Sequence, residues 1–171
     1  VSYSALADAP APYVAFSGLL LSGGRASHAV ALPDCAPGVW EGSVTVNLLS
    51  YYEAGADDHQ ARISLGGETL GTVSWTGEQY VSPAFPFCST NAAAGAAVLT
   101  LENTTPLPPG WDSSDYNTRF ICPSFEISYR RLHRARGDAL RCNGAGEGLV
   151  AATGFATGDI LALDVTDPAA P

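Results

Sequence analysis

Apolar and polar residues alternate with a period of two through most of the chain. In Ser43-Val44-Thr45-Val46-Asn47-Leu48 the branched and aliphatic residues fall on one side and the polar ones on the other, the pattern of a half-buried strand. Ala61-Arg62-Ile63-Ser64-Leu65 repeats it, Gly66-Gly67 follows as a hairpin turn, and Thr69 to Trp75 reads as the returning strand. Ala97 to Glu102, and Arg119-Phe120-Ile121 through Phe125 to Tyr129, continue the series. Pro123 inside the last run predicts an edge strand or a bulge, because proline cannot donate to a central ladder. No segment carries the 3.6-residue apolar period of an amphipathic helix, and Gly and Pro fall between the runs as turn residues. The expected fold class is therefore all-β: an antiparallel β-sandwich or jelly roll, with a few extra strands on its C-terminal side.

The same pattern divides the chain. Residues 1–135 read as the sandwich. Residues 136–165 read as short strands (Ala139 to Arg141, Gly148 to Ala152, Ile160 to Val165) packed on the sandwich or starting a small subdomain, and 166–171 as a linker to a downstream domain. The stretch Thr104 to Asn117 is the longest irregular one, and long loops on a rigid sandwich are where function concentrates.

Composition narrows the partners. With 171 residues, 46% of them hydrophobic, the chain is long enough to bury a core of its own. The formal net charge of −9 makes nucleic acid a poor partner. No apolar run reaches the length of a membrane-spanning helix. All eight basic residues are Arg, and five of them lie between Arg130 and Arg141, a cluster that reads as a solvated strand end. The Lys-free, Ala- and Gly-rich composition, and a start at Val1, suggest a domain cut from a larger secreted bacterial protein. Cys35, Cys88, Cys122 and Cys142 are widely spaced, without the close pairs that zinc sites use. Their even number in a loop-rich chain predicts two disulfides in an oxidising compartment, in any of three connectivities.

Candidate chemistry is sparse. No Gly-x-Ser-x-Gly elbow is present, and the Gly144 to Gly148 run lacks the Lys and spacing of a phosphate loop. Arg136-Gly137-Asp138 matches an integrin-recognition tripeptide but reads as a turn. Asp57 and Asp58 before a strand, with Asp112 and Asp115 in the long loop, could supply oxygen ligands to calcium; paired Asp residues otherwise serve as turn formers. Trp111, Tyr116 and Tyr80 are the aromatics best placed to stack on a sugar ring, whereas Trp75 sits in a strand and is expected in the core. Asn103-Thr104-Thr105 is a glycosylation sequon with no expected consequence in a bacterial chain.

Four stretches in order resemble the β-rich region that precedes the catalytic domain in bacterial C25 (gingipain-like) cysteine peptidases. They are Asp58-His59 through Gly66-Gly67 with Leu70-Gly71 and Trp75-Thr76-Gly77; Ala97 to Thr104; Phe125 to Arg131 through Gly137 to Leu140; and Gly154-Phe155, Asp159-Ile160 and Leu163-Asp164-Val165-Thr166-Asp167-Pro168. The resemblance implies a secreted, non-catalytic accessory or pro-region domain, with the downstream peptidase domain of the same chain as its partner, acting in packing, shielding or targeting. That family's His-Gly turn and its Cys after small residues have no counterpart here: His28, His59 and His133 precede Ala29, Gln60 and Arg134. The alternative reading is a carbohydrate-binding module, with a glycan or a protein surface as partner.

Overall fold

Each alternating run folds as a strand with its apolar side turned inward. The computed structural model describes residues 16–50, 59–91, 95–110, 112, 118–141 and 151–162, and nine strands lie among them. In chain order these are β1 (Phe16–Leu20), β2 (Arg25–Ala31), β3 (Glu41–Ser50), β4 (His59–Leu65), β5 (Glu68–Trp75), β6 (Tyr80–Val81), β7 (Ala84–Cys88), β8 (Ala96–Asn103) and β9 (Phe120–Ser128). A 3₁₀ turn, Ser89–Asn91, follows β7. All strand pairs are antiparallel. One sheet runs β1-β9-β3, with β6 and β7 pairing in turn along the far side of β3; the other runs β2-β8-β4-β5. We call these the first and second sheets. The chain passes repeatedly from one to the other, so neither can form without its partner.

The core is the sum of the inward faces. Val44, Val46 and Leu48 of β3, Phe85 and Phe87 of β7, and Phe120, Cys122 and Phe125 of β9 meet Ala61, Ile63 and Leu65 of β4, Leu99 and Leu101 of β8, and Trp75. Trp75 is a core residue, as its place in the strand predicts; its ring lies edge-on to Phe120 at 5.1 Å and stacks on buried His59 at 5.2 Å. Gly66 and Gly67 close the β4–β5 hairpin with φ of 61° and 88°, the left-handed pair that a two-residue turn needs to match strand twist. Pro123 lies at a bulge rather than an edge: β9 is central, and its register with β3 shifts between Asn47 and Leu49, opposite the proline.

The chain after β9 departs from expectation. Among the described residues the strands expected from Ala139 and from Ile160 are not formed; only isolated bridges join Arg134 to Thr153 and Arg136 to Ala139. A strand needs a ladder partner for its backbone groups, and these segments find only a short one. Residues 151–158 instead lie as a strap on 133–139. The Ala135 amide donates to the Thr153 carbonyl (2.7 Å), the Thr153 amide to the His133 carbonyl (2.9 Å), and the Ala156 amide to an Asp138 carboxylate oxygen (2.6 Å).

Two buried polar side chains tie the sheets at one end. Asn103, at the end of β8, donates through Nδ2 to the Leu20 carbonyl (2.9 Å) and the Thr118 carbonyl (2.7 Å), and its Oδ1 accepts the Thr105 amide (3.0 Å). Ser50 Oγ donates to the Gly77 carbonyl (2.7 Å) and accepts Trp75 Nε1 (3.0 Å) and the Gln79 amide (3.2 Å). Replacing Asn103 by Ala strands three buried backbone groups. Asn103→Ala is expected to lower unfolding stability by about 2–3 kcal/mol, read from the urea midpoint, whereas Thr100→Ala on the outer face of the same strand stays within about 0.5 kcal/mol.

Candidate functional site

The outward faces of the two sheets differ in kind. On the second sheet two of the outward rows are polar throughout. Ser27, Thr100, Ser64 and Thr69 form one row across four strands, and Arg25, Glu102, Arg62 and Thr72 the next. Glu102 holds both arginines at 3.3 Å, and Ser27 and Thr100 share a hydrogen bond of 3.0 Å. No aromatic side chain points outward from this sheet among the described residues, and a ring-stacking platform is therefore absent from that part of it.

The first sheet is different at the end where Ser50 and Asn103 sit. Tyr80, 56% exposed, is registered opposite Leu49, which in turn is opposite Ile121. The adjoining row is a hydrogen-bonded polar chain: Ser82 Oγ donates to Asn47 Oδ1 (2.8 Å), and Asn47 Nδ2 donates to Ser124 Oγ (2.8 Å). Neither row carries a charge. Tyr80 is the aromatic that stands exposed among the described residues. Trp111 and Tyr116, the other two expected aromatics, lie outside the described residues. Of the expected calcium ligands, Asp57, Asp58 and Asp115 also lie outside them. Asp112 is exposed, and among the described residues no group of three or more His, Cys, Asp or Glu side chains is assembled. The described residues that bound these segments do converge. Ser50 pairs with Phe120 and His59 stacks on Trp75, while Asn103 reaches Thr118, all at the end that carries Tyr80.

Sequence reasoning missed Asn47, Ser82 and Ser124, and also Ser50 and Asn103. The last two carried a signal. Each is polar at a position in phase with the inward residues of its strand, Val44-Val46-Leu48 and Ala97-Leu99-Leu101, where a lone polar group must be satisfied by something. Asn103 is also the sequon asparagine, and with no exposed surface it is closed to a glycan in the folded protein.

The expected disulfides are not formed among the described cysteines, Cys35, Cys88 and Cys122, and Cys142 lies outside the described residues. Register gives the reason. Cys88 is opposite Glu41 and Cys122 lies beside Leu48, so seven residues of β3 separate them, about 23 Å at strand rise. Cys35 bridges to Arg131 on the other side of β9, about 14 Å from Cys88 across three strand spacings. A disulfide needs Cα atoms within about 7 Å. The three thiols also differ electrostatically. Burial pushes Cys122 up to about 12, and burial with the nearby Asp34 charge raises Cys35, whereas hydrogen bonding from the Thr90 backbone lowers Cys88. His28 lies against the Phe125 ring at 5.3 Å, and His59 and His133 are buried.

The arginine cluster gathers at the opposite end, where β9 leaves the sandwich. Asp34 pairs with Arg136 at 2.9 Å and Arg134 at 3.9 Å, while Arg130 and Arg141 are exposed. Arg136-Gly137-Asp138 is a turn, as read from sequence: Gly137 and Asp138 have φ of 58° and 59°, and the Arg136 and Ala139 backbones bond across it. Its guanidinium is held by Asp34 and its carboxylate by the Ala156 amide, so neither charged group is presented freely. No helix among the described residues is long and apolar enough to cross a membrane.

No protein-family model matches the chain, and no curated protein matches it by sequence. Solved structures are similar in fold. Dimeric latent PorU from Porphyromonas gingivalis aligns over 81% of this chain and 12% of its own, at 9% identity and a TM-score of 0.50. The chain thus spans about an eighth of PorU. A carbohydrate-binding module, CBM36, in complex with calcium and xylotriose aligns over 75% of this chain and 90% of its own, at 17% identity and a TM-score of 0.42. The sugar-binding EclA C-terminal domain aligns over 74% and 89%, at 12% identity and a TM-score of 0.42. At these identities the likeness to PorU establishes the fold: an antiparallel β-sandwich of the kind found as one part of a longer chain.

Thiol accessibility should follow the three environments. Iodoacetamide at neutral pH, mapped by mass spectrometry, is expected to modify Cys88 in the native protein and Cys122 only after unfolding; native labelling of Cys122 at the rate of Cys88 would contradict the burial.

Proposed function

We propose that this chain is a non-catalytic accessory or pro-region domain of a secreted C25-like cysteine peptidase, one that packs against, shields or targets the catalytic domain. The observation that carries this reading is the fold likeness to a limited stretch of PorU, a C25-related protein, over most of this chain. The ordered stretches from Asp58-His59 to Asp167-Pro168 add to it; on this reading residues 1–135 are the sandwich, 136–165 a segment packed on it or starting a small subdomain, and 166–171 a linker. The physical means is a rigid scaffold with a charged rim. Arg130 and Arg141 are exposed beside the Asp34-paired Arg134 and Arg136, at one end of a body of net charge −9, a face complementary to an acidic surface on the peptidase. A separately expressed C25-like catalytic domain, titrated with this chain in a calorimeter and a peptide-hydrolysis assay, should bind it or be inhibited by it, more weakly at high salt. Neither binding nor inhibition would sink the reading.

A second reading, a carbohydrate-binding module, is favoured by one observation: the exposed Tyr80 ring beside Leu49 and Ile121, with the Asn47, Ser82 and Ser124 groups in the next row. A pyranose stacks its C–H face on such a ring and takes hydrogen bonds from amides and hydroxyls alongside. The calcium expectation at Asp57, Asp58, Asp112 and Asp115 belongs with this reading. On a glycan array the chain should retain at least one oligosaccharide class, and Tyr80→Ala should abolish that signal without changing the melting temperature. Repeating the array with a chelator reads out calcium. An empty array, or one indifferent to Tyr80→Ala, would remove this reading.

A further inference from the structure

The sheet edges are unequal. In the first sheet β1 carries a register shift, β6 is two residues long, and β7 holds Pro86; each of these blunts an edge against further pairing. In the second sheet β5 is irregular against β4, and its Gly71 lies under the Phe85 ring, whose atoms would meet an added Cβ at 2.8 Å. β2 has no such device. It is seven residues long, pairs with β8 without a break from Arg25 to Ala31, and contains no Pro, Gly or Lys.

The register also shows which backbone groups this edge offers. The Leu32 amide donates to the Gly95 carbonyl and the Asn103 amide to the Gly24 carbonyl, so the even-numbered residues of β2 are the ones bonded to β8. The amides and carbonyls of Arg25, Ser27, Ala29 and Ala31 therefore point away from the sheet, a row of donors and acceptors that nothing covers among the described residues. Beside them, Ala29, Ala31, Ala96 and Val98 make a shallow apolar depression on the outer face.

A second observation supplies the complement. The sequence pattern calls for a strand from Ile160, yet Asp159–Ala162 carries no strand pairing, and Ile160 and Leu161 are 54% and 82% exposed. An apolar, strand-forming segment without a ladder and a ladder edge without a strand coexist in one chain, and within the single chain they do not meet. We propose that residues Asp159–Ala162 of one copy add to the β2 edge of a second copy of this chain. Outward main-chain groups supply the bonds, and the Ala29, Ala31 and Val98 depression takes an apolar side chain. Reciprocal exchange of the segment closes a two-fold dimer.

Light scattering on the size-excluded 171-residue chain over a concentration series tests this. The unaltered chain should pass from monomer to dimer. Ala29→Pro should abolish the dimer, since its amide is not one that bonds β8, and so should the double change Ile160→Asp with Leu161→Asp; circular dichroism melts check that both variants remain folded. Mixing the two variants should restore a heterodimer, because one retains the donor segment and the other the acceptor edge. A chain that is monomeric at every concentration overturns the proposal. So does a dimer that either variant leaves intact, or a mixture of folded variants that stays monomeric. None of these outcomes bears on peptidase or glycan binding, which stand or fall separately.

Discussion

The fold depends on the side-chain amide of Asn103, buried between the two sheets and bonded to main-chain groups of both. A buried amide costs little when every hydrogen bond is made and several times more when one is lost. Asn103 extends from β8 in one sheet to the Leu20 carbonyl of β1 and the Thr118 carbonyl before β9 in the other, so the sheets cannot slide without breaking those bonds. Apolar side chains alone hold two sheets together but tolerate many offsets; a directional contact of this kind selects one. Ser50 does the same for the β5–β6 connection, with Trp75 and His59 stacked beneath it. Ser50, His59, Asn103 and Thr118, the described residues at that end, are thus fixed by buried contacts.

The other end is held by weaker means. Asp34 and its two arginines are surface pairs, each contributing about 0–1 kcal/mol and less in salt. The strap is retained chiefly by a few main-chain hydrogen bonds around Thr153 and by the Asp138 cap. A segment attached so lightly opens at low cost relative to the sandwich. The two ends thus differ in how they are held: one by buried side-chain hydrogen bonds, the other by surface pairs and a short main-chain strap.

The described cysteines sit in unlike environments. Cys122 is a core residue whose thiol keeps its proton at any physiological pH, and Cys35 is shifted the same way. The outward features are of another kind: an uncharged aromatic and amide surface, an arginine rim, and a strand edge that no described residue pairs.

Alternation by itself located β3, β4, β5, β8 and β9 to within a residue or two, the Gly66-Gly67 turn, and the core place of Trp75, because these follow from local geometry and side-chain polarity. It did not find β2, where Ala and His give little polar contrast, nor β6 and β7, which are short or interrupted by Pro86. Among the described residues after β9 it overcalled strands, since strand propensity without a ladder partner yields no strand. The cysteine count suggested bridges, and register forbids any among the three described thiols. Which strands pair, which face Tyr80 shares with Asn47, and how Asn103 joins the sheets are contacts between residues far apart in sequence. Only the tertiary structure decides those, because a hydrogen bond or a packed ring depends on distance in space and not on position along the chain.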